Sequence, residues 1–540
     1  MLAWELWFAI IPGVILFLYG IENFSKEIQR VAGGRFRSLL AGMTKNPAKG
    51  AILGAVVTAI IQSSTATTVI VVSLVNAGTI PFAQSLGIMI GANVGTTMTA
   101  QLIAFKLTGF APYLILSGFL ISLIGGKYRF IGKPVFYFGL VFFSLSLVSD
   151  AVSSIGNDPD VIGLFSQFSN VFIAILAGLL FTIILQSSSV TSGIVILLAG
   201  SGILSLGQSI PIILGANIGT TATSLIAASR MDLFARRASM AHLLFNLGGV
   251  AIFLPFLVPF ASFIEGFGGG AAQQVANAHL VFNLVCAIIF LLAVRPFKAA
   301  VERLVPGKEE EILFRTKYLG DSLPGTSRDA LKLVEKELKN SLGHTTALFG
   351  ESSAFMKGNP VQGPRIIKLE ALIDYLDERI ENALLDLSKR KLTRKEAAKI
   401  VLLVRMSNVT EQLGDRGKIL GSLASSMEEN GARFSPESKI ELERIYGKFR
   451  ENLLTVSKSM PRIGEESIAR MRSTDNRLRQ MINESYDNHL KRLYLRKAYA
   501  GSYFVEMVSL IEDANAQVRE IRKLCELFSK SMLQYNELDK

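Results

Sequence analysis

The sequence predicts an all-α polytopic membrane protein with two inverted-topology repeats, each holding a re-entrant hairpin and a broken helix, followed by a cytoplasmic antiparallel helical bundle. Three observations lead to this fold class. Charged residues are scarce in the first 300 residues and common in the rest. A segment of the first part recurs 124 residues later. In the second part the apolar residues recur at helical spacing, for example at Leu369, Leu372, Ile373 and Leu376.

The charge distribution separates a membrane part from a water-soluble part. Residues 1–300 hold 15 of the 56 Lys and Arg and 8 of the 44 Asp and Glu, which leaves 41 and 36 for residues 301–540. The first part is therefore about 8% charged and the second about 32%, which excludes a wholly soluble enzyme. The net charge of +12 divides as about +7 and +5, so neither part has the concentrated basic field of a nucleic-acid-binding protein.

The internal repeat carries two polar motifs. A shift of 124 residues aligns Gly54–Ala104 with Gly178–Ala228 without a gap, with about 22 of 51 positions identical. The first motif is QSST from Gln62 and QSSS from Gln186, and the second is GANVGTT from Gly91 and GANIGTT from Gly215. Such a duplication is typical of transporters built from structural repeats.

The first motif predicts a re-entrant hairpin. QSST lies near the centre of the apolar run from Ala51 to Asn76, and the ten or so residues on each side reach through half a bilayer at ~1.5 Å per residue. The next run, Phe82–Phe105, is long enough to span the membrane, but GANVGTT interrupts it with the composition of a broken helix. The run Phe110–Ile124 then returns to the inside.

Basic residues set the orientation, because Lys and Arg accumulate in cytoplasmic loops. Lys26, Lys133, Arg230 and Arg295 are expected inside, and Asp150 outside. Each repeat makes three full crossings, an odd number, so the second copy is inverted. The N-terminus is then outside and the C-terminus inside. The predicted domains are a membrane domain at 1–305 (repeat 1 at 3–126, repeat 2 at 134–260, an extra span at 271–295), a linker at 306–327 and the helical domain at 328–540.

The polar motifs lie where charged residues are missing. No Asp, Glu, Lys or Arg occurs between Gly50 and Phe105, or between Asp160 and Arg230. Proton coupling and cation exchange are disfavoured, since both normally use an intramembrane carboxylate. Free N–H groups at helix ends suit an anion, and Ser and Thr oxygens suit Na⁺. An anion bound without Arg or Lys needs co-bound cations, which favours metal-ion symport. The alternative is that these small residues only allow close helix packing.

These motifs, with the twin segments Ala241–Asn246 and Ala278–Asn283, resemble the sodium/phosphate cotransporter family of bacterial type over roughly residues 3–305. The resemblance implies sodium-driven import of inorganic phosphate across the cytoplasmic membrane, with co-transported Na⁺. We also expect a homodimer. It implies that the phosphate-binding residues are Gln62, Ser63, Ser64, Thr65, Gln186, Ser187, Ser188, Ser189, Asn93 and Asn217. The sodium-binding set is Thr58, Thr96, Thr97, Thr182, Thr220 and Thr221, of which Thr58 and Thr182 could serve either ligand.

The second part resembles the PhoU-like domains of bacterial members, which regulate phosphate uptake and carry E-x-x-x-D metal motifs. Glu370 and Asp374 match one motif, and Glu411 and Asp415 match another. A spacing of four places both carboxylates of a motif on one helix face. The resemblance therefore implies a metal ion here and a cytoplasmic regulatory partner, although such pairs are more often a solvated face.

The same residues leave other functions open. A phosphate-sensing regulatory membrane protein that signals through the PhoU-like domain is the main alternative. A channel is a weaker alternative, because carbonyl-lined filters usually lie on an axis shared by several chains. An enzyme is not expected, since the QSS serines lack a nearby base.

Two further groups of residues have expected structural roles. His242 and Asn246 share one helix face, and His279 and Asn283 share another, so each pair is expected to form hydrogen bonds to neighbouring helices. Four glycines are candidates for close helix packing or for hinges: Gly54, Gly91, Gly178 and Gly215.

Overall fold

The computed structural model describes residues 3–42, 46–105, 107–124, 128–155, 163, 165–307, 311–320, 322–357, 359, 361–495 and 501–538. The predicted end of repeat 1 near residue 126 and the linker residues 308–310 and 321 lie outside this set. Within it, the regular structure is helical and contains no strand, which confirms the all-α class. The chain divides into two compact units, Met1–Glu311 and Ile312–Lys540.

The first unit is a set of mostly apolar helices. They are α1 (Ala3–Gly42), α2 (Pro47–Ile61), α3 (Ser64–Asn76), α4 (Phe82–Ala104), α5 (Ala111–Leu123), α6 (Arg129–Ile155), α7 (Val171–Leu185), α8 (Ser188–Gly200), α9 (Leu206–Gly219), α10 (Thr221–Ala228), α11 (Leu233–Phe253), α12 (Leu257–Glu265), α13 (Ala271–Leu292) and α14 (Val294–Leu304). In the part that the structure describes, five stretches are long and apolar enough to cross a membrane: 82–104, 130–152, 206–228, 233–265 and 271–292. The unit therefore has the character of a membrane protein.

The two QSS motifs each separate a pair of short apolar helices. Helix α2 ends just before Gln62, and α3 begins at Ser64. In the second copy α7 ends just before Gln186, and α8 begins at Ser188. At 13 to 15 residues, each arm is shorter than the roughly 20 residues of a spanning helix. The helix break predicted at each motif is confirmed.

The helix break predicted at the second motif is wrong for the first copy, whereas in the second copy the motif contains the boundary between α9 and α10. Helix α4 runs from Phe82 to Ala104 through GANVGTT without interruption. In the second copy α9 and α10 meet at Thr220, whose backbone is itself helical (φ −59°, ψ −26°) and whose N–H still donates to the Ala216 carbonyl at 3.1 Å. The motif therefore does not interrupt the helix in the first copy and divides it only at Thr220 in the second.

Helix packing explains why glycine occurs in these helices without breaking them. A methyl carbon added at Gly91 would lie 1.8 Å from the carbonyl oxygen of Ala51, and one at Gly54 would lie 2.1 Å from that of Ile88. The second copy repeats the contact between α7 and α9, where a methyl at Gly215 would lie 1.9 Å from the Ile175 carbonyl oxygen. Glycine lets the backbones of paired helices touch. The close-packing role predicted for these glycines is confirmed.

The two repeats also pack crosswise. Helix α4 of the first copy contacts α8 of the second, and α10 of the second contacts α3 of the first. Helices α11 and α13 complete the unit, since α11 packs on α3 and α4 and α13 packs on α4, α8 and α9. The GAN motifs are GANVGTT and GANIGTT. The helix at the end of each GAN motif, α4 or α10, therefore contacts the hairpin arm that follows the other copy's QSS motif.

The segment after α14 contacts α11 and the start of α4. Arg237, which is buried, donates from Nε to the Val305 carbonyl at 3.0 Å and from Nη2 to the Gly307 carbonyl at 3.2 Å. A carboxylate oxygen of Glu311 accepts from the backbone N–H of Phe82 at 2.5 Å. A carboxylate is favourable at this position because the first N–H groups of a helix lack helical partners. The end of the first unit is thereby attached to the start of α4.

The second unit is built from long amphipathic helices. They are α15 (Ser327–Ser352), α16 (Gly363–Ser388), α17 (Arg394–Glu429), α18 (Pro436–Ser459), α19 (Glu465–Tyr494) and α20 (Gly501–Leu538). Helix α17 packs on α15, α16 and α20, and α18 packs on α19 and α20. Buried Asp475 accepts from Asn452 at 2.8 Å and from Asn515 at 2.9 Å, which joins α18, α19 and α20 through one carboxylate.

We predict that Gly91→Ala destabilises the first unit by about 2 kcal/mol, because the added methyl forces α2 away from α4. Thermal unfolding of the purified protein in detergent measures the effect. Gly34→Ala in α1 is the matched control, since a methyl there meets no atom within 4 Å. Equal unfolding temperatures for the two variants would show that the α2–α4 contact is not tight.

Candidate functional site

The first QSS motif forms a tight turn between α2 and α3. Gln62 adopts a left-handed backbone (φ 58°), and its N–H donates to the Thr58 carbonyl at 2.7 Å. Ser63 is extended and caps α3, because its hydroxyl accepts from the Ala66 N–H at 3.2 Å. Left-handed backbone is uncommon for a residue other than glycine. The turn therefore fixes where the amino end of α3 begins.

The second motif reproduces this turn. Gln186 is also left-handed (φ 53°), and the Ser187 hydroxyl accepts from the Val190 N–H at 3.4 Å at the start of α8. Each turn presents the amino end of an apolar helix, where N–H groups and the positive end of the helix dipole favour an anion. Ser64, Ser188 and Ser189 are buried in the first turns of these helices, and Thr65 is half-buried.

Buried threonine pairs join the two arms of each hairpin. The hydroxyls of Thr58 and Thr67 lie 2.9 Å apart, and those of Thr182 and Thr191 lie 2.8 Å apart. All four side chains are almost fully buried. The pairs hold the arms together one helical turn from Gln62 and Gln186. Thr58 and Thr182 of the predicted sodium-binding set thus lie inside the hairpins, directly behind the tips.

The two tips differ in their surroundings. The Gln62 side chain is only 7% exposed: its amide donates to the Ala59 carbonyl, and its Oε1 accepts from the Thr99 hydroxyl at 2.7 Å. The Gln186 side chain is exposed. The first tip is therefore tied to α4, whereas the second tip is open.

The predicted residues of the GAN motifs are buried in α4, α9 and α10. Thr96 and Thr97 donate to the carbonyls of Ala92 (3.0 Å) and Val94 (2.7 Å). In the second copy Thr220 and Thr221 donate in the same way to Ala216 and Ile218. A hydroxyl that donates its hydrogen keeps its lone pairs. These four oxygens can therefore still bind a cation.

The two motif asparagines make different contacts. Asn93 donates from Nδ2 to the Met89 carbonyl of its own helix at 3.1 Å. Asn217 instead bonds to α13: its Oδ1 accepts from His279 Nε2 at 3.1 Å, and its Nδ2 donates to Asn283 Oδ1 at 3.4 Å. The expected interhelical hydrogen bonding is thus present for His279 and Asn283.

Comparison with known proteins agrees with this arrangement. The profile of the Na+/Pi-cotransporter family matches residues 16–150 and 162–293, and these two segments contain both hairpins and both GAN motifs. A Bacillus subtilis relative named "Uncharacterized protein YqeW" is 33% identical over 269 residues, which cover 49% of this chain and 87% of that protein. The chain belongs to the Na+/Pi-cotransporter family.

Two further relatives of this transporter carry functional names. The Escherichia coli K12 protein named "Putative inorganic phosphate export protein YjbB" is 27% identical over 491 residues, which cover 90% of each chain. Sodium-dependent phosphate transport protein 2C of Homo sapiens is 44% identical over 93 residues, which cover 16% of this chain and 15% of that protein. No solved structure gives a significant match. The family is one of transporters, not of enzymes.

Sequence reasoning missed three residues near the tips of the two hairpins. One is Thr99, which holds Gln62. The others are Thr68 and Ser192, whose buried hydroxyls find no hydrogen-bond partner among the described residues. Thr68 and Ser192 occupy the same repeat position, and Thr99 corresponds to Thr223. A search for hydroxyl residues that recur at the 124-residue shift would have found all three.

The four carboxylates predicted to bind a metal lie in the second unit. Glu370 pairs with Lys418 at 2.6 Å. Partial burial and then the charges of Asp415 and Asp374 raise the pKa of Glu411 to about 7. Partial burial and then the charges of Glu370 and Asp415 raise the pKa of Asp374 to about 6. Among the residues with described positions, no three His, Cys, Asp or Glu side chains are arranged to hold a metal ion.

The raised pKa of Glu411 gives the second unit a pH-dependent stability. A carboxyl group whose pKa is higher in the folded state stabilises that state fully below its unfolded value, near 4.5, and this contribution is lost as the pH rises through about 7. We predict that Glu411→Gln stabilises the unit at pH 8 by on the order of 1 kcal/mol, since solvent screens part of the repulsion. At pH 4, below the unfolded pKa, the variant and the parent protein should be equally stable.

Amide-hydrogen exchange of α17 peptides in the full-length protein, corrected for the intrinsic pH dependence of exchange, measures this difference. Glu429→Gln, at an exposed position on the same helix, is the matched control and should have no effect at either pH. A Glu411→Gln variant that follows the parent protein at both pH values would contradict the repulsion between these carboxylates.

Proposed function

We propose that this protein is a sodium-coupled inorganic phosphate symporter that imports phosphate across the cytoplasmic membrane. The observation that carries the proposal is the pair of helix amino ends at the QSS turns, each capped by a serine and surrounded by buried hydroxyls. No charged residue occurs in the sequence between Gly50 and Phe105 or between Asp160 and Arg230. An anion held at these ends therefore needs a mobile cation.

In this proposal the tips bind phosphate and the hydroxyls behind them bind sodium. N–H groups at the start of α3 and α8 and the nearby polar side chains would contact the phosphate oxygens. The proposed phosphate-binding residues are Gln62, Ser63, Ser64, Thr65, Gln186, Ser187, Ser188, Ser189, Asn93 and Asn217. The threonine oxygens, as hard uncharged donors, suit Na⁺. The proposed sodium-binding residues are Thr58, Thr96, Thr97, Thr182, Thr220 and Thr221.

Electrical work gives a second reason for sodium coupling. Each charge moved across ~100 mV is worth ~2.3 kcal/mol. The entry of a divalent anion into a negative interior therefore costs twice that amount. Two co-transported Na⁺ cancel this cost, and a third lets the membrane potential drive uptake. With an inward sodium gradient the net flux is import. One relative is named for sodium dependence and another for phosphate export, so direction and coupling are both quantities to measure.

The proposed architecture has two inverted-topology repeats with the N-terminus outside and the second unit in the cytoplasm. The sequence repeat, the paired hairpins and the basic flanks of the inner loops support it. We further propose that the second unit is PhoU-like, acts on transport with a cytoplasmic partner and binds a metal ion when its carboxylates move together, since a cation would relieve their repulsion. The protein is proposed to act as a homodimer.

Phosphate uptake into proteoliposomes tests the central proposal. We predict that radiolabelled phosphate accumulates when an inward Na⁺ gradient is imposed and does not when choline replaces Na⁺. Ser63→Ala and Ser187→Ala should each lower the uptake rate about tenfold or more, because each removes a helix cap and a phosphate ligand. Ser117→Ala, at an exposed serine that bonds to its own helix, is the matched control.

The same vesicles separate the alternatives. Accumulation that does not depend on sodium would contradict the coupling. Efflux from phosphate-loaded vesicles under an outward Na⁺ gradient, with no influx under the inward gradient, would identify an exporter. Phosphate binding without flux in either direction would favour the phosphate-sensing regulatory protein.

A further inference from the structure

Helices α11 and α13 carry the same short segment, Ala241–Asn246 and Ala278–Asn283. In each segment the histidine and the asparagine are four residues apart and so share one helix face. All four side chains are buried, with at most 2% of their surface exposed. Each helix therefore presents one buried His–Asn pair to the interior of the first unit.

The two pairs face equivalent positions of the two repeats. His242 lines a narrow space with Met89, Ile90 and Asn93 of α4. His279 lines a second space with Ile213 and Leu214 of α9, which correspond to Met89 and Ile90 at the 124-residue shift. The asparagine that corresponds to Asn93 is Asn217, the residue that His279 contacts. The structure thus contains two copies of one arrangement, each formed by a His–Asn pair and a motif asparagine.

The second copy is engaged. His279 Nε2 donates to Asn217 Oδ1 at 3.1 Å, and Asn217 Nδ2 donates to Asn283 Oδ1 at 3.4 Å. Asn283 Nδ2 in turn donates to the His279 carbonyl at 2.9 Å. The motif asparagine is therefore held through both ends of its amide. This contact fixes α9 against α13.

The first copy is not engaged. Neither ring nitrogen of His242 has a hydrogen-bond partner among the described residues, and neither does Asn246 Oδ1. Asn246 Nδ2 donates to the His242 carbonyl at 3.0 Å, and Asn93 Nδ2 donates to the Met89 carbonyl at 3.1 Å. A buried polar group without a partner costs ~1–3 kcal/mol. A movement of α4 against α11 that formed the contacts already made in the second copy would recover part of this cost, since His279 Nδ1 stays unpaired there among the described residues.

We propose that the two His–Asn pairs are positioning residues that hold Asn217 and Asn93 in turn, one in each access state of the transporter. This proposal rests on the proposed transport function. In the present state Asn217 is held, and in the opposite state Asn93 is held by His242 and Asn246 while Asn217 is released. Each state then has one pair that holds its motif asparagine and one pair that does not. The exchange therefore has a small free-energy difference, which allows both states to be populated.

The difference between the hairpin tips fits the same exchange. The engaged pair belongs to the copy whose tip residue Gln186 is exposed, and the disengaged pair belongs to the copy whose Gln62 is buried and held by Thr99. Exposure of the Gln186 position therefore reports the present state. When the pairs exchange roles, the Gln186 position should become buried and the Gln62 position exposed.

Removal of either histidine should shift the equilibrium in opposite directions. His279→Leu removes the contact made in the present state and also relieves the unpaired imidazole expected in the opposite state, so it favours the opposite state. His242→Leu relieves the imidazole that is unpaired now and removes the contact expected in the opposite state, so it favours the present state. Two histidines with a merely structural role would not produce effects of opposite sign.

The test is maleimide labelling of Gln186→Cys in the full-length protein, purified in detergent without sodium or phosphate. Buried Cys286 and Cys525 are first replaced by alanine. We expect His279→Leu to slow labelling roughly three- to tenfold, since a lost buried hydrogen bond changes a two-state ratio by about that factor. His242→Leu should leave labelling unchanged or faster. A Gln62→Cys reporter should show the reverse pattern.

Two further measurements keep the result interpretable. His279→Gln retains an N–H donor and should restore labelling toward the parent rate. Size-exclusion chromatography and thermal unfolding establish that each variant is folded, and Asn283→Leu replaces His279→Leu if the latter is not. Labelling that changes in the same direction for both histidine variants, or in neither, would overturn the proposal. Because labelling needs neither ligand, this result stands independently of whether sodium coupling is found in the vesicles.

Discussion

The arrangement of the first unit follows from one constraint: its polar centre contains no charged side chain along either motif-bearing stretch. Backbone N–H groups at helix ends, hydroxyls and amides must therefore supply all of the fixed polarity. The left-handed turns at Gln62 and Gln186 create the required helix ends in the middle of otherwise apolar runs. Ser63 and Ser187 cap those ends, and the threonine pairs behind them hold the hairpins closed.

This centre depends on close backbone contact. Gly91 and Gly54 let α4 touch α2, and Gly215 and Gly178 do the same for α9 and α7. Side chains at these positions would separate each motif helix from its hairpin. The hairpins and motif helices then pack crosswise between the copies. Glycine in these helices thus serves packing, and the carbonyls of the same helix satisfy the neighbouring threonines.

The sequence was sufficient to predict features that repeat, and insufficient for those that differ between the copies. Apolar length around QSST and its second copy predicted both helix breaks. GANVGTT was misread as a helix break because composition alone cannot distinguish a glycine that breaks a helix from one that packs it. Nothing in the nearly identical motifs indicates that Gln62 is buried while Gln186 is exposed, or that Asn217 bonds to His279 while Asn93 bonds within its own helix. Those differences arise from tertiary packing.

A core without fixed positive charge should hold phosphate only together with sodium. Equilibrium binding of radiolabelled phosphate to the purified protein, at constant ionic strength with Na⁺ exchanged for choline, tests it directly. We predict that phosphate affinity rises about tenfold or more between zero and saturating Na⁺, since each cation placed beside a buried anion offsets a large electrostatic cost. Equal phosphate affinity in choline and in sodium would contradict the claim.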